Sequence, residues 1–279
     1  MVDFSFDENK WERINVYPKR TLQIFITSKC NKRCSGCFYQ DYLGNNFMMK
    51  DEYQNIIKKF RMYFDKVILM GGEPTLHPYL RDFVEFNTIN NLDTTIYTNG
   101  FNLKNLKDLS NCSIRIGVLG YDIGEKQLIE IEKTDIPVSI VLMLRRNNID
   151  QLEKVSKYAE EFNCKSFFIS SIRDIHTTKN YWMDTDETIP NHEYVSIVNN
   201  FVNSYNGNIE KIEIASRGLI PCDSFNTCRF FNIHLDKTST ICPFDISLDI
   251  KDPFADFVNQ RKCNKNNSCI LQKVALKRK

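Results

Sequence analysis

No stretch of about 18 consecutive apolar residues occurs in the sequence, so we expect no segment that crosses a bilayer. The N-terminal stretch MVDFSFDENKWERINVY also lacks a cationic start followed by an apolar run, which argues against a secretory signal. Neither charge predominates, because 37 Lys and Arg residues balance 35 Asp and Glu residues to a net charge of +2. This balance gives no reason to expect a nucleic-acid or membrane partner. We therefore expect a cytoplasmic protein.

What the sequence does contain is a globular composition with many cysteines. Of its 279 residues, 42 % are hydrophobic and 12 % aromatic, which is enough for one large domain or for one domain plus a small appendage. Ten cysteines without a secretory route disfavour a disulfide framework and point to metal or redox chemistry. Cys112 and Cys164 stand alone, and we expect them to be buried small hydrophobes. The other eight fall into two groups, at residues 30–37 and 222–269.

Short strand-like and longer helix-like segments alternate between about residues 20 and 205. Two segments, residues 50–64 and 148–162, carry apolar residues at helical spacing, and Asn148 is expected to cap the second. Six strands with intervening helices imply a parallel sheet, with the chemistry at the carboxyl ends of its strands. The number of strands leaves open whether the sheet is flat or curled into a partial barrel. The predicted strands are residues 22–27, 66–70, 94–98, 113–119, 138–144 and 165–170.

The pattern changes after about residue 206. Residues 213–222 and 231–244 are predicted to be short antiparallel pieces, with a turn near residues 236–239. Because five cysteines gather in this part, we interpret it as a small domain whose core is too poor to fold without a metal. The predicted division is an N-terminal segment at 1–20, a larger α/β domain at 21–205 and a cysteine-rich domain at 206–279.

The first cysteine group lies directly after the first predicted strand. Cys30, Cys34 and Cys37 have the spacing C-x3-C-x2-C, in a loop with lysine and arginine neighbours that help to lower the pKa of a thiol. A structural zinc site needs four ligands, so three close thiols would require a distant fourth. A 4Fe–4S cluster held by three cysteines leaves one iron open to a ligand that is not protein. Zinc and an iron–sulfur cluster are both compatible with the spacing alone.

This spacing, followed by an aromatic residue at Phe38, resembles that of the radical S-adenosylmethionine (SAM) enzymes. The resemblance implies that Cys30, Cys34 and Cys37 hold a 4Fe–4S cluster and that SAM chelates its open iron. It also implies reductive cleavage of SAM to methionine and a 5′-deoxyadenosyl radical, which abstracts a hydrogen atom from the substrate. The cofactor carries this chemistry, and the protein binds, orients and shields it. The implied fold is a partial (β/α)6 TIM-like barrel with a small cysteine-rich, twitch-like C-terminal domain.

A glycine pair ends the second predicted strand, in the sequence Gly71-Gly72-Glu73-Pro74. Two glycines permit unusual backbone conformations and close approach of a ligand, and the carboxylate of Glu73 is suited to accept from an ammonium group. An ordinary strand-to-helix turn explains the same residues. The segment matches the Gly-Gly-Glu-Pro sequence that holds the amino group of SAM in the family. Thr98 and Asn99, at the end of the third predicted strand, match a family segment near SAM, although a polar turn is an equal interpretation.

The second cysteine group resembles the SPASM and shorter twitch extensions of the family, which carry auxiliary 4Fe–4S clusters. The residues between Cys228 and Cys242 are predicted to form a hairpin, which would bring their thiols together. The preferred ligand set for one auxiliary cluster is Cys228, Cys242, Cys263 and Cys269. The rival set is Cys222, Cys228 and Cys242 with an open iron, and zinc is a further alternative. If Cys222 is not a ligand, its thiol is a candidate hydrogen-atom donor to a substrate radical, or it is inert.

The resemblance leaves the substrate open, since fold and cofactor do not identify it. Our first hypothesis is an enzyme that epimerises or crosslinks a ribosomally made peptide or a protein side chain. Only 29 residues precede Cys30, so we expect no N-terminal peptide-recognition domain, which weakens this hypothesis. The second is a small-molecule dehydrogenase or cyclase acting on a sugar or nucleotide, and the third is a zinc-binding interaction protein without SAM chemistry. The family also implies a flavodoxin or ferredoxin as reductant.

Overall fold

The computed structural model describes residues 6–14, 20–34, 36–118, 125–171, 187–215, 230–240, 254 and 273–279. These residues form one mixed sheet of eleven strands and five α-helices. No helix in these ranges is long and apolar enough to cross a membrane. The strands are β1 (Trp11–Ile14), β2 (Thr21–Thr27), β3 (Lys66–Gly71), β4 (Asp93–Thr98), β5 (Cys112–Val118), β6 (Val138–Leu144), β7 (Ser166–Ser171), β8 (Lys211–Ala215), β9 (Phe230–Ile233), β10 (Ser239–Thr240) and β11 (Lys273–Arg278). The helices are α1 (Lys50–Phe60), α2 (Leu80–Ile89), α3 (Glu125–Glu132), α4 (Gln151–Glu161) and α5 (Asn191–Ser204).

The sheet is parallel through its centre and antiparallel at its ends. Its strand order is β1-β11-β8-β7-β6-β5-β4-β3-β2-β9-β10. Strands β2 to β8 pair in parallel in chain order, and β9 adds a further parallel strand beside β2. In this order β1 and β10 lie at opposite edges, so the described sheet is open. The predicted α/β fold with a parallel sheet is thereby confirmed.

Alternating side chains give the central strands two distinct faces. One face packs against the helices, where Ile24, Leu69 and Ile96 lie in a single core with residues of α1, α2, α4 and α5. We call the opposite side the inner face. Next to the first cysteine loop it carries a small apolar cluster of Phe25, Tyr39, Ile68 and Met70. Because both faces of β2 are covered, all seven of its residues are buried, as expected of a parallel strand.

The helix prediction at residues 50–64 is confirmed in its first part. Helix α1 buries Tyr53, Ile57 and Phe60 along one stripe, and the carboxylate of Glu52 accepts from the backbone N–H of Met49 to cap its start. The proposed cap of the second predicted helix is wrong. Helix α4 begins later, and the side-chain oxygen of Asn148 instead accepts from the backbone N–H of Arg145, at 2.7 Å.

The described residues beyond 206 extend the same sheet rather than forming a separate one. Strands β9 and β10 make the predicted antiparallel hairpin, closed by the N–H of His234 donating to the carbonyl of Thr238 at 2.9 Å. The predicted antiparallel piece at 213–222 is only partly correct, because β8 pairs in parallel with β7 and antiparallel with β11. The domain boundary at residue 206 stays a prediction.

Candidate functional site

Three thiols of one loop lie at the carboxyl end of β2. Cys30, Cys34 and Cys37 are each half-buried, and none forms a disulfide. The backbone N–H of Cys37 donates to the carbonyl of Cys34 at 3.3 Å, and the N–H of Lys32 donates to the sulfur of Cys30 at 3.4 Å. The position at a strand end agrees with the site expected in a parallel sheet.

Burial raises the pKa of all three thiols. The pKa of Cys34 rises to about 11, because burial is reinforced by the neighbouring sulfurs of Cys37 and Cys30. Nearby cations do lower the thiol pKa values, as predicted: Lys32 acts on Cys34, and Arg33 acts on Cys30 and Cys37. Burial has the larger effect, so the net shift of each pKa is upward. The three sulfurs therefore repel one another as thiolates, and a bound cation would favour their ionisation.

The donor set fits an iron–sulfur cluster in chemistry, since thiolates are its usual ligands. Across the described ranges, no three His, Cys, Asp or Glu side chains already converge as ready-made metal ligands. The three sulfurs lie near enough to interact electrostatically but are not arranged around a metal. The assignment of Cys30, Cys34 and Cys37 as ligands therefore stays a prediction.

The glycine pair packs directly against the cysteine loop. Gly71 has a φ of +135°, a conformation that favours glycine, and a Cβ on Gly72 would overlap the backbone carbonyl of Lys29. The N–H of Gly72 donates to the carbonyl of Thr27 at 2.8 Å, and the N–H of Glu73 donates to that of Lys29 at 2.7 Å. Main-chain contact of this closeness fixes the start of the cysteine loop on the end of β3.

Glu73 joins the ends of β3 and β4 through a fully hydrogen-bonded carboxylate. The Oε1 atom accepts from the hydroxyl of Thr75 at 2.6 Å, from the backbone N–H of Thr75 at 3.0 Å and from the hydroxyl of Thr98 at 2.7 Å. The Oε2 atom accepts from the backbone N–H of Asn99 at 2.7 Å. Burial raises the pKa of Glu73, and these donors oppose the rise. The side chain thus has a structural task that the sequence analysis did not foresee, and its contact with SAM stays a prediction.

Asn99 ties the cysteine loop to this network. Its side-chain amide donates to the side-chain oxygen of Asn31, inside the C-x3-C spacing, at 2.8 Å. Its backbone carbonyl accepts from the side chain of Gln127, a fully buried residue of α3, at 2.6 Å. Sequence analysis missed Asn31, Thr75 and Gln127. Asn31 stands inside the cysteine motif and Thr75 directly follows the Gly-Gly-Glu-Pro motif, and these positions are the one signal in the sequence that indicates them.

Two other predicted residues lie beside the site. The ring of Phe38 packs edge-on against Phe25, with centroids 6.4 Å apart. Pro74 is buried and begins a short 3-10 turn. Their contact with SAM stays a prediction.

The predicted residues of the second cysteine group lie outside the described residues. They are Cys222, Cys228, Cys242, Cys263 and Cys269. Of the isolated cysteines, Cys164 is buried as expected, whereas Cys112 is half-buried.

Comparison with known proteins identifies a family for most of this architecture. Residues 24–172, which are more than half of the chain, match the family model described as the Radical SAM superfamily. A stretch of 96 residues is 31 % identical to an S-adenosylmethionine-dependent nucleotide dehydratase of Flammeovirga pacifica, covering 32 % of each chain. A stretch of 205 residues is 25 % identical to a probable GTP 3′,8-cyclase of Saccharolobus islandicus, covering 64 % of this chain and 65 % of the relative. The chain therefore spans less than two thirds of the length of these relatives.

A solved structure shows the same fold. SuiB of Streptococcus suis, bound to the precursor peptide SuiA, superimposes with a TM-score of 0.69 over 85 % of this chain and 64 % of that chain. The sequence identity is 12 %, so the similarity concerns the fold alone. It agrees with an open, partial barrel, and a twitch-like domain is not part of what the described residues show.

Proposed function

The chain belongs to the radical SAM superfamily of enzymes, and from this premise we propose that it cleaves SAM reductively and abstracts a hydrogen atom from its substrate. One observation carries the proposal beyond the family match. The glycine pair is hydrogen-bonded to the backbone that leads into the three-cysteine loop, so the two motifs form one site at the carboxyl ends of β2 and β3.

In this proposal Cys30, Cys34 and Cys37 hold a 4Fe–4S cluster. Phe38, the segment 71–74, Thr98 and Asn99 line the SAM site. When bound, the cluster and SAM supply a one-electron cleavage that yields methionine and a 5′-deoxyadenosyl radical, which takes a hydrogen atom from the substrate. The chain contributes position and shielding. The Glu73 network holds the strand ends together, and the half-buried loop limits access of water to the thiolates.

The substrate we propose first is a peptide or protein side chain, which is epimerised or crosslinked. Its support is the fold shared with SuiB, a protein solved with its precursor peptide. A second candidate is a nucleotide, in a dehydratase or cyclase reaction. Its support is sequence similarity to the nucleotide dehydratase and to the probable GTP 3′,8-cyclase.

We also propose an auxiliary 4Fe–4S cluster on Cys228, Cys242, Cys263 and Cys269. The described hairpin supports it, because β9 begins two residues after Cys228 and β10 ends two residues before Cys242. Cys222 then remains as a candidate hydrogen-atom donor. Iron analysis of reconstituted protein tests this proposal, with about eight iron atoms per chain expected for two clusters and about four for one. Zinc in place of the second set of iron atoms would contradict it. A flavodoxin or ferredoxin reductant and a cytoplasmic location complete the proposal.

The decisive experiment is anaerobic reconstitution with iron and sulfide, followed by reduction in the presence of SAM. We expect 5′-deoxyadenosine by mass spectrometry from the unaltered chain and none above background from Cys34→Ala. Cys112→Ala is the matched control, since this cysteine lies on β5 away from the loop, and it should retain the product. A reconstituted, iron-loaded protein that releases no 5′-deoxyadenosine would overturn the proposal.

A further inference from the structure

The inner face of the open barrel carries several polar side chains on β5 to β8. On β5, Ile114 and Ile116 are fully buried against the helices, while Ser113 and Arg115 point to the inner face. The same face of β6 and β7 carries Ser139 and Ser166, whose hydroxyls are hydrogen-bonded to each other at 2.9 Å. Small serines on two successive strands leave room for a long side chain to cross the barrel.

Arg115 crosses the inner face above these serines. Its Nη2 donates to both carboxylate oxygens of Glu213 on β8, at 3.0 and 3.2 Å. Its guanidinium lies 5.6 Å from the ring centroids of both Tyr97 and Phe168. The Arg115 and Glu213 side chains are only 15 % and 3 % exposed. The guanidinium is therefore held in one orientation inside the barrel.

Two further cations, Lys211 and Lys66, lie near this pair among the described residues. Lys211 Nζ lies 3.2 Å from Oε1 of Glu213, so the same carboxylate serves two cations. Lys66, on β3, lies within electrostatic range of the pair, and burial together with the charge of Arg115 lowers its pKa to about 8. Glu213 and Asp93 oppose this lowering, and Lys165 adds to it. Arg115 and Lys211 thus share the buried carboxylate of Glu213, and Lys66 lies within electrostatic range of both Arg115 and Glu213.

The register of the sheet places Arg115 next to the candidate site. Arg115 pairs with Tyr97 on β4, and Thr98 and Asn99 of the site follow immediately. The backbone of Asn99 is therefore two residues further along, about 7 Å at the rise of a strand. Glu213 is in register with Phe168, Val141 and Gly117, so the Arg115 side chain reaches toward the carboxyl ends of the strands. The next position of β5 on the inner face is Gly117, which has no side chain to separate Arg115 from the candidate site.

We propose that Arg115 and Lys66 bind an anionic group of the substrate, a phosphate or a carboxylate, inside the barrel. The inference rests on the proposed function, since it assigns a substrate group to the same site. A guanidinium and an ammonium are the groups that recognise these anions, and a guanidinium already fixed by Glu213 loses little conformational freedom on binding. The end of the substrate that carries the anionic group would lie deep in the barrel, and the other end of the substrate would face the candidate site.

The test measures anion binding to the reconstituted protein by calorimetry, with inorganic phosphate and succinate as separate probes. We expect at least one of them to bind, and Arg115→Gln to weaken that binding by about tenfold or more. Arg146→Gln is the matched control, because Arg146 also holds a carboxylate, that of Glu193, but on the surface. It should leave binding unchanged. Preference for phosphate or for succinate distinguishes the two anion chemistries.

Two further variants keep the test decisive if Arg115→Gln does not fold. Lys66→Met should weaken anion binding while making the protein without anion more stable, because it relieves repulsion with Arg115. Glu213→Gln should tighten anion binding, since the amide oxygen can still accept from Arg115 and hold it in place while the competing negative charge is removed. Absence of binding by both probes to the unaltered protein, or equal binding by Arg115→Gln and Arg146→Gln, would refute the inference. No SAM or reductant is present, so this result is independent of whether the protein cleaves SAM.

Discussion

Gly72 is the residue at which the two motifs meet most closely. Its backbone passes against the carbonyl of Lys29, one position before Cys30, with no room for a Cβ. The usual interpretation of a glycine at a strand end is a turn. Here the contact is between two separate loops, so the glycine sets the distance from the cysteine loop to the end of β3.

We expect Gly72→Ala to disrupt the site while leaving the rest of the sheet formed. The added methyl group would overlap a backbone atom, which cannot rotate away, so the cysteine loop must shift. The yield of 5′-deoxyadenosine should fall by about tenfold, as for strain of a few kcal/mol, and iron bound per chain should fall by up to about four atoms, the content of one cluster. Circular dichroism checks that the fold is retained.

Gly44→Ala is the control for this change. A Cβ on Gly44 would lie 3.2 Å from the hydroxyl of Ser28, a side chain that can adjust, so iron content should remain near that of the unaltered chain. Equal iron content in Gly72→Ala and in the unaltered chain would show that the close packing does not matter.

Single residues also mark how far the sequence could predict the site. The cysteines and glycines were identifiable because their chemistry and spacing are rare outside such a site. The hydrogen bond from Asn99 to Asn31 joins residues 68 positions apart, and neither local sequence contains a pattern that predicts it. Glu73 shows the same difficulty, because its motif was recognised while its four hydrogen bonds within the fold were not.

Helices and strands were predicted correctly where the apolar pattern of the sequence was strong. The apolar runs of β2 and β3, largely buried on both faces, and of β6, buried on its helix-facing side, were identified as strands. Helices α2, α3 and α5 were not predicted, although α5 buries Tyr194, Val198 and Phe201 along one side. Asparagines break up its apolar pattern, and packing against the sheet overrides their weak helix propensity.

His77 ends the 3-10 turn that follows the glycine pair (Pro74–Leu76) and stabilises it through two contacts of its ring. Its Nε2 lies 3.1 Å from the carbonyl of Met48, and its Nδ1 accepts from the N–H of Tyr79 at 3.0 Å. This pair of contacts suits a neutral ring with the proton on Nε2. Burial lowers the pKa of His77 to about 4, so protonation would break the contact with Tyr79.

We therefore expect His77 to make stability fall with acid. The unfolded chain binds a proton at His77 near pH 6.5 and the folded chain only near pH 4, so folding stability is full above pH 6.5 and declines below it. The loss approaches about 3 kcal/mol at pH 4. Urea unfolding of iron-free protein between pH 4.5 and 7 measures it. His77→Gln should flatten this dependence, whereas His192→Gln, at an exposed position of α5, should leave it unchanged. An identical slope in His77→Gln would contradict the assignment.

The whole sheet joins segments that are far apart in the chain. Strand β11, from the C-terminal end, lies between β8 and β1, so the first and last described strands are neighbours. Strand β9 lies beside β2 at the other end of the parallel run. Sequence patterns predicted the central parallel sheet because each crossover is local. They did not predict the outer pairings, since any exposed edge strand can accept a partner.

These outer pairings predict where the molecule is sensitive to change near its C-terminal end. Leu276 is fully buried within β11 and packs into the main core, although it stands next to a basic, exposed tail. Leu276→Ala should lower the free energy of unfolding by about 2–4 kcal/mol, as for other buried leucines. Lys277→Ala, at the exposed neighbouring position, should change it by less than about 0.5 kcal/mol. Chemical denaturation of both variants measures the difference. Equal stability would mean that β11 is not an integral strand, and β1 would then lose its only described partner in the sheet.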